Sequence, residues 1–237
     1  MIMTDDIFTS TYTGLRKREG RVYSDAEVLM LPDIDPSHQY YREWQLRKNS
    51  CKKLVQYINK KESGLNILEI GCGNGWLSAQ LAIETKSNVT GVDINIVELE
   101  QAQKLFQQIP NLNFIEGDID ATKLSDKKFD LILFAASIQY FESLKNILDK
   151  ALQHLTPEGE IHIVDSKFYP IHDAVLAQER SHQYYQLLGF PEMSDHYFHH
   201  TLEELKAFNY RVLYNPSSWT NKILLKKNPF YWIVIKK

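Results

Sequence analysis

The chain has 237 residues, 43% of them apolar, with 27 Lys and Arg against 30 Asp and Glu and a formal net charge of −3. That length and apolar share suit one α/β domain with additions, and the acidic balance argues against general nucleic-acid binding, which rests on many Lys and Arg contacts to phosphate. Two cysteines, Cys51 and Cys72, exclude a disulfide framework and suit a reduced, cytoplasmic setting, and neither a signal peptide nor an apolar run of about eighteen residues for a membrane helix is apparent.

Residues 1–22 are polar, with Arg16, Lys17, Arg18 and Arg21 clustered, and read as an unordered, solvated start or as a recruiter of phosphorylated or carboxylated molecules. Ser24-Asp25-Ala26-Glu27 is a capping box for a short helix that Pro32 ends. Asp35, followed by Pro36, caps a longer helix with an apolar stripe of Tyr40, Tyr41, Trp44, Cys51, Leu54, Val55 and Ile58. Its C-terminal half is expected on a sheet and its aromatic N-terminal half over a ligand crevice. Residues 1–62 therefore read as a helical cap, and 63–237 as the main domain.

Residues 65–70 form a buried strand that Glu69 and Ile70 close, and Gly71-Cys72-Gly73-Asn74-Gly75 follows before a helix over 76–83. Glycines at alternate positions let backbone approach a ligand, and the helix N-terminus faces the same crevice. A dinucleotide fingerprint wants its third glycine where this chain carries Trp76. Glu69-x-Gly-x-Gly-x-Gly75 instead resembles the first motif of class I S-adenosylmethionine (SAM) dependent methyltransferases, of the type 11-like kind, whose loop wraps the methionine end of the cofactor.

Further strands follow in the order this resemblance requires. Residues 88–93 end in Asp93, about twenty residues past the first glycine, where a carboxylate accepts both ribose hydroxyls, with Ile94 beside it. Residues 112–115 lead into Glu116-Gly117-Asp118-Ile119; the resemblance assigns Asp118 to the adenine amino group and the Ile119 amide to the ring. Residues 129–134 run into Ala135 and Ala136, small enough for the cofactor to approach, with Gln139 and Tyr140 then near the methyl group. Leu155-Thr156-Pro157-Glu158-Gly159 looks like the family's Leu-x-Pro-Gly-Gly turn before a fifth strand at 160–165.

Residues 166–200 exceed an ordinary connection and suit a substrate lid, with a helix over 172–188 closed by Gly189 and Pro191. Thr201-Leu202-Glu203-Glu204 opens another helix, and residues 210–214 and 230–236 form two last strands. The alternation predicts a three-layer α/β sandwich whose mostly parallel sheet ends in an antiparallel strand. The resemblance supplies its Rossmann-like order, 3-2-1-4-5-7-6, with an N-terminal helical cap and an insertion after the fifth strand.

By the same resemblance the cofactor is SAM, with S-adenosylhomocysteine (SAH) as product, no metal, and a small-molecule acceptor whose oxygen or nitrogen is methylated. Glu69, Gly71, Cys72, Gly73, Asn74, Gly75, Asp93, Ile94, Asp118, Ile119, Ala135 and Ala136 are the cofactor-binding candidates. Tyr140, His172 and His199 are candidate proton acceptors, and Tyr40, Tyr41, Trp44, Gln139 and Tyr169 candidate walls. His196, His199 and His200 have the spacing of one helix face, open to substrate contact, metal or plain surface. Asn228-Pro229-Phe230-Tyr231 resembles an adenine-amine methylation signature but stands away from the fourth strand, so it is set aside. The alternatives are a SAM-binding protein without transfer, a protein or nucleic-acid methyltransferase, and a nicotinamide oxidoreductase; a monomer or homodimer, free of membrane, is expected.

Overall fold

Alternate residues of the central strands enter two different cores, as side chains of period two must. Leu131 and Leu133 join Ile67, Leu54 and Ile58 in one cluster, while Ile132 and Phe134 join Leu68, Ile70, Leu148 and Ile233 in the other. A sheet buried on both faces needs helices on both, and the computed structural model, which describes residues 5–61, 63–219, 221 and 228–237, has them.

The helices are α1 (Asp5–Glu19), α2 (Asp25–Met30), α3 (Tyr41–Ile58), α4 (Trp76–Thr85), α5 (Ile96–Phe106), α6 (Leu144–Gln153) and α7 (Ile171–Leu188). The strands are β1 (Asn66–Ile70), β2 (Asn88–Asp93), β3 (Leu112–Glu116), β4 (Phe129–Ala135), β5 (Leu155–Ser166), β6 (Asn209–Tyr214) and β7 (Tyr231–Lys236). They form one sheet in the expected order β3-β2-β1-β4-β5-β7-β6, parallel except where β7 pairs with β5 and β6. Order reverses between β1 and β4, so a crevice opens at their carboxyl ends, where Glu69, Asp93, Ala135 and Asp165 stand.

Several boundaries differ from expectation. The polar start is helix α1: Arg16, Lys17 and Arg18 complement its C-terminal dipole, and Leu15 is buried. Gly14 permits close approach of residue 190, because a Cβ there would lie 2.9 Å from the Phe190 ring. Asp35 does not cap α3; its carboxylate accepts the Ser37 amide in a local turn, and the helix begins only at Tyr41. Residues 155–159 are no separate turn but a bulge inside β5, whose pairing with β4 jumps from Phe129–Leu155 to Leu131–Glu160. Segment 202–207 is 3-10 rather than α-helical, with the Thr201 and Glu204 capping box present.

Within β5, away from the crevice, Glu160 is a buried carboxylate that accepts from the Tyr57 hydroxyl at 2.8 Å and pairs with Lys61 at 2.8 Å and Lys236 at 3.0 Å. His162 lies 3.2 Å from it and accepts the Trp232 indole N–H on Nδ1 at 3.0 Å. Burial pushes the Glu160 carboxyl up, but hydrogen bonds from His162, Lys61, Lys236 and Tyr57 outweigh it and hold the group below its ordinary 4.5. Burial also lowers His162 below 6.5, against the pull of Glu160. Unfolded His162 therefore binds a proton more readily, so its stabilising effect is complete above about pH 6.5 and declines as pH falls through the lower folded value. Ionised Glu160 contributes above about pH 4.5, and that contribution is lost on further acidification. Urea midpoints measured from pH ~8 to ~4 should be flat at first, fall below about 6.5 and fall more steeply below about 4.5.

Candidate functional site

Two cavities meet at Gly71, Gly73 and Ala136. The larger, about 660 Å³, runs past Asp93 and Asp118 to an aromatic wall of Phe8, Tyr140 and Phe141. The smaller, about 120 Å³, continues past Glu69, Trp76 and Ala135 to Arg16, Arg21 and Arg47.

The glycine turn is built for close packing as much as for a ligand. Gly71 has φ 74°, and a Cβ there would stand 2.5 Å from the Ser137 Cβ. Gly75 also has φ 74° and lies under the Phe114 ring, whose Cζ would be 2.5 Å from an added Cβ. It stands at the N-terminal end of α4 and lines neither cavity. Gly73 does face the cavities, and its amide donates to Asp93 Oδ2 at 2.7 Å.

Asp93 is oriented from both sides, because Oδ1 accepts the Asn95 amide at 2.8 Å. Burial raises its pKa, and the amides of Asn95, Gly73 and Ile94 oppose that rise. Each carboxylate oxygen keeps a second lone pair for a ligand hydroxyl. Glycine-lined backbone, a fixed acid and Asp118 along one continuous cavity fit an adenosine attached to a small polar tail. Trp76, packed edge-on against Trp44 at 5.3 Å, occupies the place where a dinucleotide fingerprint needs glycine.

Residues 61–222 match a family model described as a methyltransferase domain. The chain belongs to that family. Its class I, SAM-dependent type, read from the glycine turn and the strands after it, agrees with the sheet order. The malonyl-[acyl-carrier protein] O-methyltransferase of Halalkalibacterium halodurans is 29% identical over 150 residues, 58% of this chain and 55% of that protein. The trans-aconitate 2-methyltransferase of Deinococcus radiodurans is 28% identical over 124 residues, 52% of this chain and 46% of that protein. The chain spans about half the length of the curated relatives it matches. Among solved structures, YcgJ of Bacillus subtilis has a TM-score of 0.61 at 16% identity, covering 80% of this chain and 99% of its own. The plantazolicin methyltransferase BpumL, in complex with a pentazolic desmethylPZN analog and SAH, has 0.59 at 20% identity, covering 96% and 98%. Both show likeness of fold.

In this methyltransferase-family chain the cavities gather Glu69, Gly71, Cys72, Gly73, Asn74, Asp93, Ile94, Asp118, Ala135, Ala136, Tyr140 and Trp44 from the expected residues. Ile119 sends its side chain into the core, which leaves only its backbone for a ligand. Tyr40 lies under the Arg21 guanidinium at 3.8 Å, and Tyr41 packs against the α3–α4 core; neither lines a cavity. Gln139 is turned away, its amide donating to the Ala136 carbonyl and accepting from the Ser166 hydroxyl.

His172 is 77% exposed beside Asp173 and lines neither cavity. His199 bonds the Ser181 hydroxyl at 2.9 Å between the Tyr169 and Tyr197 rings, and burial is the main cause that lowers its pKa to about 4. Tyr169 and His199 thus belong to the packing of segment 166–200. The histidine face does not form, because residues 197–200 are not helical: His196 lines the larger cavity, while His200 is buried against Ile138 and Glu204. Asn228 precedes β7 and accepts the Phe230 amide, away from the end of β4.

Phe8 and Tyr12 of α1 were missed in the sequence, and Arg16 was read only as part of a basic cluster. The three recur every four positions and line the cavities, a spacing legible in the sequence. Arg16 donates to the Tyr140 hydroxyl at 2.7 Å, tying α1 to the segment after β4. Segment 166–200 packs behind α1, with Tyr185 and Met193 against Leu15, and reaches the larger cavity through His196. Glu98 of α5 was also missed; it faces Gly73 and receives the Asn95 amide side chain at 3.2 Å.

Proposed function

We propose that the chain transfers a methyl group from SAM to an oxygen, or second to a nitrogen, of a small-molecule acceptor. The two adjoining cavities carry this reading: they share Gly71, Gly73 and Ala136, the larger lined by Asp93 and Asp118 and the smaller by Glu69, at the carboxyl ends of β1, β2 and β4. When bound, the donor supplies a methyl carbon activated by its sulfonium. The chain's task is to hold donor and acceptor in line and exclude water, and orientation of that kind supplies up to about 7–11 kcal/mol. Asp93 and Asp118 take the adenosine end, the turn at 71–73 the amino-acid end. Tyr140 and His196, on the wall of the larger cavity, replace His172 and His199 as candidates for contact with the acceptor. Oxygen is favoured because the curated relatives include O-methyltransferases.

Incubation of the protein with methyl-labelled SAM and a small-molecule extract, protein and nucleic acid should place label in the first fraction. Label confined to protein or nucleic acid would reverse the acceptor class, and no label in any fraction together with SAH binding would leave a binding protein without transfer.

Burial pushes the carboxyls of Glu69, Glu98 and Asp165 up to about 8, 7 and 6; Asp93 adds to the first two, and Arg47 opposes the third. A ligand ammonium prefers these groups ionised. Protons must then leave on binding below those values, so SAH affinity should rise from about pH 6 to 8 and level off above. Calorimetry in buffers of different ionisation enthalpy should register net proton release near neutrality; proton uptake would contradict the assignment.

A further inference from the structure

Besides the two cores on the faces of the sheet, a third cluster of buried residues draws nothing from the strands. It joins Leu15 of α1 to Tyr185 of α7 and to Met193 of the 3-10 segment Pro191–His196, with Phe8, Tyr12 and Phe190 packed around them. The Tyr184 hydroxyl donates to the Glu19 carboxylate at 2.6 Å, which ties the end of α1 to α7 as well. Leu15 belongs to neither sheet core, so the apolar face of α1 is buried by residues from far along the chain. Residues 170–199 leave and rejoin the rest of the chain at one place, where the Tyr169 amide donates to the His200 carbonyl at 2.9 Å.

Tyr140 joins this unit to the glycine turn. It follows β4 three residues after Ser137, whose hydroxyl donates to the Ile70 carbonyl at 2.5 Å and whose Cβ packs on Gly71. The Tyr140 ring stands edge-on to Tyr12 at 5.6 Å, Tyr197 at 5.7 Å and Phe8 at 6.3 Å, and its hydroxyl accepts from Arg16 at 2.7 Å. Beside it the Gln139 carbonyl accepts the Phe198 amide at 2.7 Å. A single side chain of the sheet layer is thus held by both parts of the unit. At the far end Gly20, with φ 70°, closes α1, and the Tyr40 hydroxyl donates to the Glu19 carbonyl at 2.5 Å.

We propose that α1 and residues 171–197 form one lid that moves as a unit over both cavities, with Tyr140 as its latch and the turn at Gly20 as its pivot. Phe8, Tyr12, Arg16 and His196 are the cavity walls it carries, so lifting it opens both cavities at once and closing it excludes water from the transfer. What the lid encloses rests on the SAM reading above; the unit itself rests on the packing. It also divides the cap expected over residues 1–62, because α1 goes with α7 while α3 stays on the sheet.

Hydrogen exchange of the full chain, read by mass spectrometry, tests it. Without ligand, Leu15→Ala should speed exchange in residues 5–19 and 171–197 together by about 10-fold or more and leave β1 and β4 within about twofold. Leu15 lines neither cavity, and Leu15→Val gives the same comparison should the larger change prevent folding. Saturating SAH should slow exchange in both stretches together. Tyr140→Leu should speed SAH dissociation about 3- to 30-fold and quicken exchange in both stretches, with Tyr140→Phe, which keeps the ring, between it and wild type. Acceleration confined to residues 5–19 would overturn the proposal by leaving 171–197 with the sheet, and acceleration that reached the strands would overturn it by making Leu15 part of the global fold. Unchanged SAH dissociation in Tyr140→Leu would remove the latch. If the wild-type chain does not bind SAH, the SAM reading falls, and the ligand-free comparison still decides the lid.

Discussion

Asp93→Ala is expected to weaken SAH binding by about 100-fold or more. The carboxylate has two ligand hydroxyls to accept, and charge-assisted hydrogen bonds contribute roughly 1.5–3 kcal/mol each. The loss should be as large for methylthioadenosine, because the ribose is common to both molecules. The substitution also strips the acceptor from the Gly73 and Asn95 amides, which are held at 2.7 and 2.8 Å. Asp93→Asn keeps the shape and one acceptor oxygen, so its SAH affinity should fall between those of wild type and Asp93→Ala. SAH binding by Asp93→Ala within about threefold of wild type would remove the ribose assignment.

Glu160→Ala should be the largest stability change, with the site left intact. The side chain is 2% exposed and sits among Lys61, Lys236, Tyr57 and His162. Its removal takes the acceptor from buried His162 and from the Tyr57 hydroxyl, while Lys61 and Lys236, 32% and 53% exposed, turn to solvent, so the cost is about 1–3 kcal/mol. For a chain of this size each kcal/mol lowers the melting temperature by about 2–4 °C, so a fall of roughly 2–12 °C is expected by calorimetry. The folded fraction should still bind SAH with wild-type affinity, because Glu160 lines neither cavity. A melting temperature within about 2 °C of wild type would show that solvent already screens the cluster.

The two substitutions also mark where the sequence was informative. Strand β1, its glycine turn and Asp93 lie within thirty residues, and their signals are local: apolar strands, alternate glycines, an acid at a strand end. Trp76 could be read against the dinucleotide pattern from position alone, and the structure supplies its reason in the contact with Trp44. Local signals misled where they had a second local use. Asp35 and Pro36 look like a helix start, yet the carboxylate is spent on the Ser37 turn. His196, His199 and His200 have helical spacing without the helix, since the Tyr169 amide donates to the His200 carbonyl and holds that segment extended just past the end of β5.

Helix α1 shows the larger gap. Its composition is that of a solvated chain, and its burial depends on residues from far along the sequence: Tyr140, Tyr185, Phe190 and Met193. Arg16 and Arg21, read as part of a charge run, turn inward because α1 places Arg16 every fourth residue below Phe8 and Tyr12, and Glu43 of α3 receives Arg21.

By itself the sequence determined the central strands, the glycine turn and the acid that faces it, because each is set by residues near one another in the chain, while the order of the sheet came from resemblance. Only the tertiary structure decided which walls close the cavity. The aromatic and arginine side is assembled from α1, α3 and the segment after β4, and the bond that ties α1 to that last segment joins Arg16 to Tyr140, more than a hundred positions apart.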